Sequence, residues 1–293
     1  MTPPASRTLI MGVLAGLSLA ESKPFFLSLE KAGYAGDICL FVGDLDAETQ
    51  IFLLARRVNL IPFRKAYLKP RWARLGGLAK PFLSATQTQR LDEQLGLSYL
   101  HLFCARYIYY LNYLDECGAG YDRVFVTDIR DVLFQTDPFA CDLPEGLSVF
   151  LEDASLTLGQ CPTNSAWLRQ AYGPASLREL GGKRIICAGT IYGQPAALRE
   201  FFGRMVERFY ARQTRLGIDQ AVFNYILHQQ PPPQVRQFEN ADGPVLTMAQ
   251  VKPEKFAFNA DGRLVNAANR VYNVLHQYDR HPELKSRLLK LLT

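Results

Sequence analysis

The chain has 293 residues, of which 48% are hydrophobic, 12% aromatic and 21% charged, which excludes a disordered segment and fits a globular domain with a sizeable core. Thirty-three Lys and Arg against 28 Asp and Glu give a formal net charge of +5, too small and too evenly spread for a nucleic-acid surface and better suited to a small anionic ligand. Six cysteines without a C-x-x-C pair and four histidines without an H-E-x-x-H spacing argue against structural zinc and for reduced, buried thiols in a cytoplasmic protein.

In chain order, Thr8 to Leu14 is an apolar, β-rich first strand, and Gly12, Ala15 and Gly16 lighten the backbone there and leave room for a ligand. Arg7 with the run Leu9 to Ala20 imitates a signal peptide ending at Ser18-Leu19-Ala20. The same residues are needed as the first strand, and no run approaches the roughly 20 apolar residues of a membrane span. A soluble chain follows, with peripheral membrane docking as its closest approach to lipid. Pro24 to Ala32 reads as a helix stopped at Gly33, and Asp37 to Val42 as a second strand closing a βαβ unit. Asp46 then caps a helix over Ala47 to Val58, and Leu60 to Pro62 forms a short third strand before a basic, turn-rich stretch from Arg64 to Lys80.

From Gln94 to Glu116, Cys104, Tyr107, Ile108, Leu111 and Leu114 recur at three- and four-residue spacings and predict a helix packed on the sheet. Tyr107, Tyr109, Tyr110 and Tyr113 read as packing before stacking on a ligand. Arg106 lies off the apolar face; it either reaches a ligand or orients Asp131, or it is an exposed or ion-paired arginine. Arg123 to Thr127 is a buried strand that delivers Asp128 at its carboxyl end, where ligands of open α/β sheets gather. Further strands are expected at Leu147 to Glu152, Arg184 to Cys187 and Thr190 to Tyr192, with helices near Asn164 to Tyr172 and over Pro195 to Arg215. Asp219 caps another helix reaching His228, with Gln220 and Asn224 on its exposed side. After Pro231-Pro232-Pro233 come a loosely patterned tail to Tyr278 and a basic helix from Pro282 to Leu292. The alternation of strands and helices predicts an α/β fold.

The segment Asp128-Ile129-Arg130-Asp131 carries the chemistry. Two carboxylates three residues apart at a strand end share a divalent cation if the chain turns between them, and such oxygen ligands suit Mg²⁺ or Mn²⁺. The plainer alternative is a pair satisfied by Arg123, Arg130 or the amides of the turn. Asp44-Leu45-Asp46 is a second acidic pair after a strand, read as turn and capping residues because Asp46 already opens a helix, with a ligand contact by one of them as the alternative. Glu152 and Asp153 end a strand where a carboxylate either binds ligand hydroxyls or stays a surface acid. Ala188-Gly189 is either a tight turn between two strands or a ligand contact.

Around Asp128 the chain resembles the GT-A nucleotide-sugar glycosyltransferases, especially glycosyltransferase family 8 and the yeast α-mannosyl/α-galactosyl transferase group, in which a strand ends in Asp-x-Asp. Asp128 matches the first acid; Arg130 stands where the second is expected, and that acid is displaced to Asp131. Ile186-Cys187-Ala188-Gly189-Thr190 resembles the family's Asn-Ala-Gly segment with Cys187 in place of Asn, Gly217-Ile218-Asp219-Gln220 its Asp-Gln segment, and Val274-Leu275-His276-Gln277 its late metal-binding segment.

The resemblance implies a GT-A, Rossmann-like α/β fold with a mixed, mostly parallel central sheet, divided as a nucleotide-sugar-binding catalytic domain over 1–240 and an extension over 241–293 that completes the metal and acceptor site. It implies Mn²⁺ or Mg²⁺ held by Asp128, Asp131 and His276, and a nucleotide-sugar donor, a UDP-sugar above others. Gly12, Ala15, Arg106, Asp128, Ala188 and Gly189 would contact the donor, and Asp219, Gln220 and Asp153 would act at the reacting centre. The acceptor would be a saccharide, lipid-linked or protein hydroxyl, and transfer would retain configuration. Two rivals stand beside it. One is a Mg²⁺-dependent phosphohydrolase, which requires its aspartate on the first strand. The other is a sugar-nucleotide-binding domain with weak or lost catalysis, favoured by Arg130 in place of the second acid.

Overall fold

The computed structural model describes residues 6–63, 84, 87, 97, 100–212 and 217–292. The expected basic stretch from Arg64 to Lys80, the first turns of the helix expected from Gln94, and Arg215 lie outside the described residues. The first half comprises β1 (Thr8–Leu14), α1 (Leu19–Lys31), β2 (Asp37–Val42), α2 (Ala47–Leu54), β3 (Asn59–Pro62), α3 (Leu102–Cys117), β4 (Arg123–Thr127) and β5 (Val132–Phe134). Then follow β6 (Leu147–Leu151), α4 (Pro162–Leu180), β7 (Ile186–Gly193), α5 (Pro195–Arg212), α6 (Asp219–Gln229) and β8 (Val235–Phe238). The tail adds β9 (Val245–Thr247), β10 (Ala257–Phe258), β11 (Leu264–Val265), β12 (Val274–His276) and α7 (Pro282–Lys290).

Seven strands form the central sheet in the order β3-β2-β1-β4-β7-β6-β8. Four of its six pairings are parallel; β7 runs antiparallel to both β4 and β6, so the sheet is mixed and mostly parallel. Alternate side chains of each strand enter opposite cores. Leu9, Met11, Val124 and Val126 pack toward α3, α5 and α6, while Ile10, Leu40 and Phe125 pack toward α1 and α2. β4 is the fourth of the seven strands, which places Asp128 at mid-sheet. The tyrosines of α3 are packing residues: Tyr107 and Tyr110 meet Phe202 edge-on or tilted, and Tyr109 stacks on Phe41 and Phe63.

Several local expectations are corrected. α1 starts at Leu19, ahead of Pro24, because Ser18 and Glu21 form a reciprocal capping box that satisfies two end amides. α2 stops at Leu54, short of Val58, and Arg57 takes a left-handed φ of 57° just beyond it. The two strands expected around Ala188-Gly189 are one strand, β7, whose pairing with β6 shifts register between Val149 and Phe150, so Ala188-Gly189 is a bulge and not a turn. Asp219 is the first helical residue of α6 and not its cap; Ile218 holds the cap position without a side-chain bond. Gln220 and Asn224, expected on the exposed side, are buried.

A second sheet of three strands, β5-β12-β9, sits beside the carboxyl end of β4. In it β12 pairs antiparallel with β5, placing His276 opposite Val132, the residue after Asp131. The Gln277 amide donates to the Asp131 carbonyl at 2.7 Å and ties the two segments together. A core of Leu133, Met248, Leu264 and Leu275 holds this tail in place.

Candidate active site

A cleft of about 550 Å³ opens at the carboxyl end of β4. β4 ends at Thr127, and the next four residues turn so that Ile129 is buried, Arg130 is exposed, and Asp128 and Asp131 both face the cleft. The three-residue spacing therefore still brings the two carboxylates together. Arg130, which stands where a second acid was expected, also lines the cleft and pairs with Asp279 at 3.7 Å.

His276 approaches from β12 with Nε2 3.6 Å from Asp128 Oδ2 and 3.8 Å from Asp131 Oδ1. The ligand atoms of Asp128, Asp131 and His276 all lie within 4.8 Å of one another. Among the described residues Nε2 is buried without a hydrogen-bond partner, a costly state for a ring nitrogen that a ligand would relieve. Gly189 leaves the space open: a Cβ there would lie 2.4 Å from His276 Cε1 and 2.5 Å from Asp128 Oδ2. Two carboxylates and one imidazole around a bare glycine fit a hard divalent cation such as Mg²⁺ or Mn²⁺.

Arg106 connects this cluster to α6. Its guanidinium donates to Asp128 Oδ1 at 2.6 Å and to Asp219 Oδ2 at 2.9 Å, leaving its buried Nε without a hydrogen bond among the described residues. It grips those two acids and not Asp131, which instead has Arg280 at 3.9 Å. Burial opposes ionisation of Asp128, but the Arg106 charge and His276 outweigh it and hold the carboxyl well below its ordinary range. Burial pushes the carboxyls of Asp131 and Asp219 up. Burial also works against a charged His276, yet Cys187 and the two aspartates around the ring raise its pKa.

Gln220 and Asn224 hold the bulged part of β7. Gln220 accepts from the Ala188 amide and donates to the Ile186 carbonyl, both at 2.9 Å, and Asn224 brackets the Ile186 backbone at 2.8 Å on both sides. Gln220 faces the cleft but spends its amide on shaping the strand beneath Ala188 and Gly189, which also line it.

Two expected contacts fall elsewhere. Gly12 does not line the cleft: a Cβ there would lie 2.6 Å from Ile129 Cδ1 and 2.8 Å from the Thr127 carbonyl oxygen, so its small size admits the turn after β4 and not a ligand. Ala15 does line it. Asp153 points out of the cleft, pairing with Lys255 at 3.2 Å and edging a separate cavity of about 270 Å³. Its neighbour Glu152 is the acid that faces the cleft, and among the described residues no hydrogen bond or ion pair reaches its carboxylate. Burial pushes that carboxyl up. Asp44 and Asp46 are exposed and take no part; Asp46 accepts from the Thr49 amide and hydroxyl at 2.7 and 2.8 Å. Thr163, Asn164 and Trp167 of α4 form a wall that went unrecognised, although their spacing puts them on one helix face.

No family model matches the sequence, and no curated protein matches it. Solved structures do match. The galactosyltransferase LgtC in complex with donor and acceptor sugar analogues is 15% identical, with 97% of this chain and 96% of that one covered at a TM-score of 0.47. The apo bifunctional glycosyltransferase WbbM is 11% identical, with 98% of this chain and 50% of that one covered at a TM-score of 0.52, so this chain spans half its length. The fold is that of the GT-A glycosyltransferases. Within this GT-A fold, Asp128 sits at the carboxyl end of the central strand, and the late segment of the chain returns to it through β12.

Proposed function

We propose that the chain is a metal-dependent hexosyltransferase that moves a sugar from a nucleoside-diphosphate donor, UDP as the nucleotide, to an acceptor hydroxyl. The observation that carries this reading is the convergence of Asp128, Asp131 and the unpartnered His276 Nε2 around Gly189 in the main cleft. Those three side chains would hold Mn²⁺ or Mg²⁺, which supplies charge neutralisation for a diphosphate leaving group. Arg106 keeps Asp128 ionised and aimed, and anchors Asp219 beside it. Asp219 would then be the carboxyl group facing the reacting carbon, where positive charge develops in glycosyl transfer. Gln220 holds Ala188 and Gly189 as the floor of the sugar pocket. In this reading residues 1–240 bind the nucleotide sugar and residues 241–293 complete the metal and acceptor sites.

The UDP donor, retention of configuration, a cytoplasmic location and a saccharide, lipid-linked or protein acceptor rest on the resemblance and composition already described. Against the phosphohydrolase rival, β1 runs to Leu14 and is followed by Ala15-Gly16 without a carboxylate. Among the described residues no helix is long and apolar enough to cross a membrane.

A thermal-shift panel of UDP-, GDP- and CDP-sugars with and without Mn²⁺ tests the reading. A UDP-sugar should raise Tm only when Mn²⁺ is present, because ligands that bind the folded state stabilise it. Slow Mn²⁺-dependent release of free sugar should accompany it, with proton NMR reporting the anomer. No shift with any nucleotide sugar in the presence of Mn²⁺ would end the proposal.

A further inference from the structure

Cys187 lies on the side of His276 away from the aspartates. Its Sγ is 3.6 Å from Nδ1, while the opposite nitrogen, Nε2, faces Asp128 and Asp131. A ligating imidazole offers a lone pair from one nitrogen only. The hydrogen on the other nitrogen must reach an acceptor, and that acceptor fixes both the tautomer and the plane of the ring.

Sγ is the polar atom that meets Nδ1 among the described residues, and its surroundings make it an acceptor. Gln277 Nε2 donates to it at 3.9 Å. A sulfur that already receives a donor is poorly placed to send its own hydrogen toward Nδ1. His276 is 1% exposed, and Cys187 Sγ is the acceptor within reach of Nδ1 among the described residues. The His276 carbonyl is bonded to the Met248 amide, which fixes the backbone from which the ring hangs. The same strand, β7, thus supplies the acceptor behind the ring and the bare Cα at Gly189 in front of it.

We propose that Cys187 is a positioning residue for the cation site, accepting the Nδ1–H of His276 so that the Nε2 lone pair points between Asp128 and Asp131. The assignment rests on the metal-dependent reading above. It gives a physical role to a cysteine standing where the glycosyltransferase resemblance places asparagine, since sulfur and an amide oxygen can both accept this hydrogen. It also separates Cys187 from the ligands themselves: the sulfur stands behind the ring and does not bind the ion.

The test is Mn²⁺ titration of the full chain in the absence of donor, comparing wild type with Cys187→Ala, Cys187→Val and Cys187→Ser. The two apolar variants should weaken Mn²⁺ binding by about 10–100-fold, the range typical of lost partners behind a ligating histidine. Cys187→Ser, which keeps an acceptor, should recover most of the affinity. The metal-free Tm of all variants should stay within a few degrees of wild type, which separates positioning from packing. Val leaves no cavity and carries the comparison if Ala is unstable. Co²⁺-loaded wild type should lack the near-ultraviolet absorption of a thiolate-to-cobalt bond. Wild-type Mn²⁺ affinity in both apolar variants overturns the assignment, and so does a thiolate–cobalt band that Cys187→Ser abolishes. A wild-type chain that binds donor but no Mn²⁺ overturns it together with the metal reading, whereas normal Mn²⁺ binding without transfer leaves it standing and removes the transferase reading alone.

Discussion

Two acidic pairs follow strands in this chain, and they do opposite work. Asp44 and Asp46 form a literal Asp-x-Asp after β2, yet both are exposed and Asp46 spends its oxygens on the first turn of α2. Asp128 and Asp131 depart from that spacing after β4, yet both enter the cleft and meet a histidine from the far end of the chain. The first pair stabilises local structure, because helix-end amides gain acceptors without leaving water. Charge at Asp131 costs the fold free energy, since burial pushes its carboxyl up, whereas Asp128 stays ionised because Arg106 and His276 outweigh its burial. Acids that fold the chain and acids that would serve a ligand differ in dehydration and convergence, not in motif.

The largest expected effect comes from removing charge on the costly side. Asp131→Asn should weaken Mn²⁺ binding at least about tenfold and cut Mn²⁺-dependent transfer by about a hundredfold or more, if the cation neutralises the leaving group. Metal-free stability should hold or rise, because the variant no longer buries an ionisable carboxyl whose charged form is disfavoured. Calorimetric Mn²⁺ titration, melting curves and turnover on one preparation decide it. A destabilised variant with wild-type Mn²⁺ affinity and turnover would put Asp131 in the same class as Asp46.

Glu152 sharpens the contrast through pH. Its carboxyl is raised by burial, with 6% of the residue exposed. Below the ordinary carboxylate range the folded and unfolded chains are both protonated and the site costs nothing. As pH rises toward the folded pKa, the unfolded chain ionises first, and stability is lost. Glu152→Gln should therefore melt like wild type near pH 4 and about 2 °C higher at pH 8, a shift of the size expected for a fraction of a kcal/mol to one kcal/mol in a chain this long. Equal melting temperatures across the whole range would mean that Glu152 is solvated.

The sequence reveals this contrast only in part. The apolar run Val124-Phe125-Val126 marks a buried strand, so Asp128 at a cleft was legible from pattern alone. Asp46 was legible as a cap for the same reason, since capping is a local event. His276 depends on β12 pairing with β5, which are more than a hundred residues apart, and only family resemblance pointed to it. Arg106 reaches acids 22 and 113 residues away, a grip that helical periodicity cannot show. Gln220 and Asn224 were misread as exposed because polar residues usually are; here they serve the backbone of a bulged strand, and the bulge itself hid β7 as two strands. Gly12 shows the converse error, in which a small residue near a cleft makes room for packing and not for a ligand.

The smallest effect should belong to the decoy, and it completes the comparison because it must be silent in function. The Thr49 amide and hydroxyl hold the Asp46 carboxyl below its ordinary range, so its contribution to stability is present above that range and fades as pH falls through the lowered pKa. Asp46→Ala removes the acceptor for the Thr49 amide and should lower Tm by roughly 2 °C at pH 7, less in acid. Asp46→Ser restores a capping oxygen without a charge and should return most of the loss. Neither variant should change Mn²⁺ affinity or turnover, since Asp46 lies outside the cleft lining. Donor binding that weakens in Asp46→Ala and stays weak in Asp46→Ser would show that the pair after β2 contacts the nucleotide, and the division between folding acids and ligand-facing acids would fall with it.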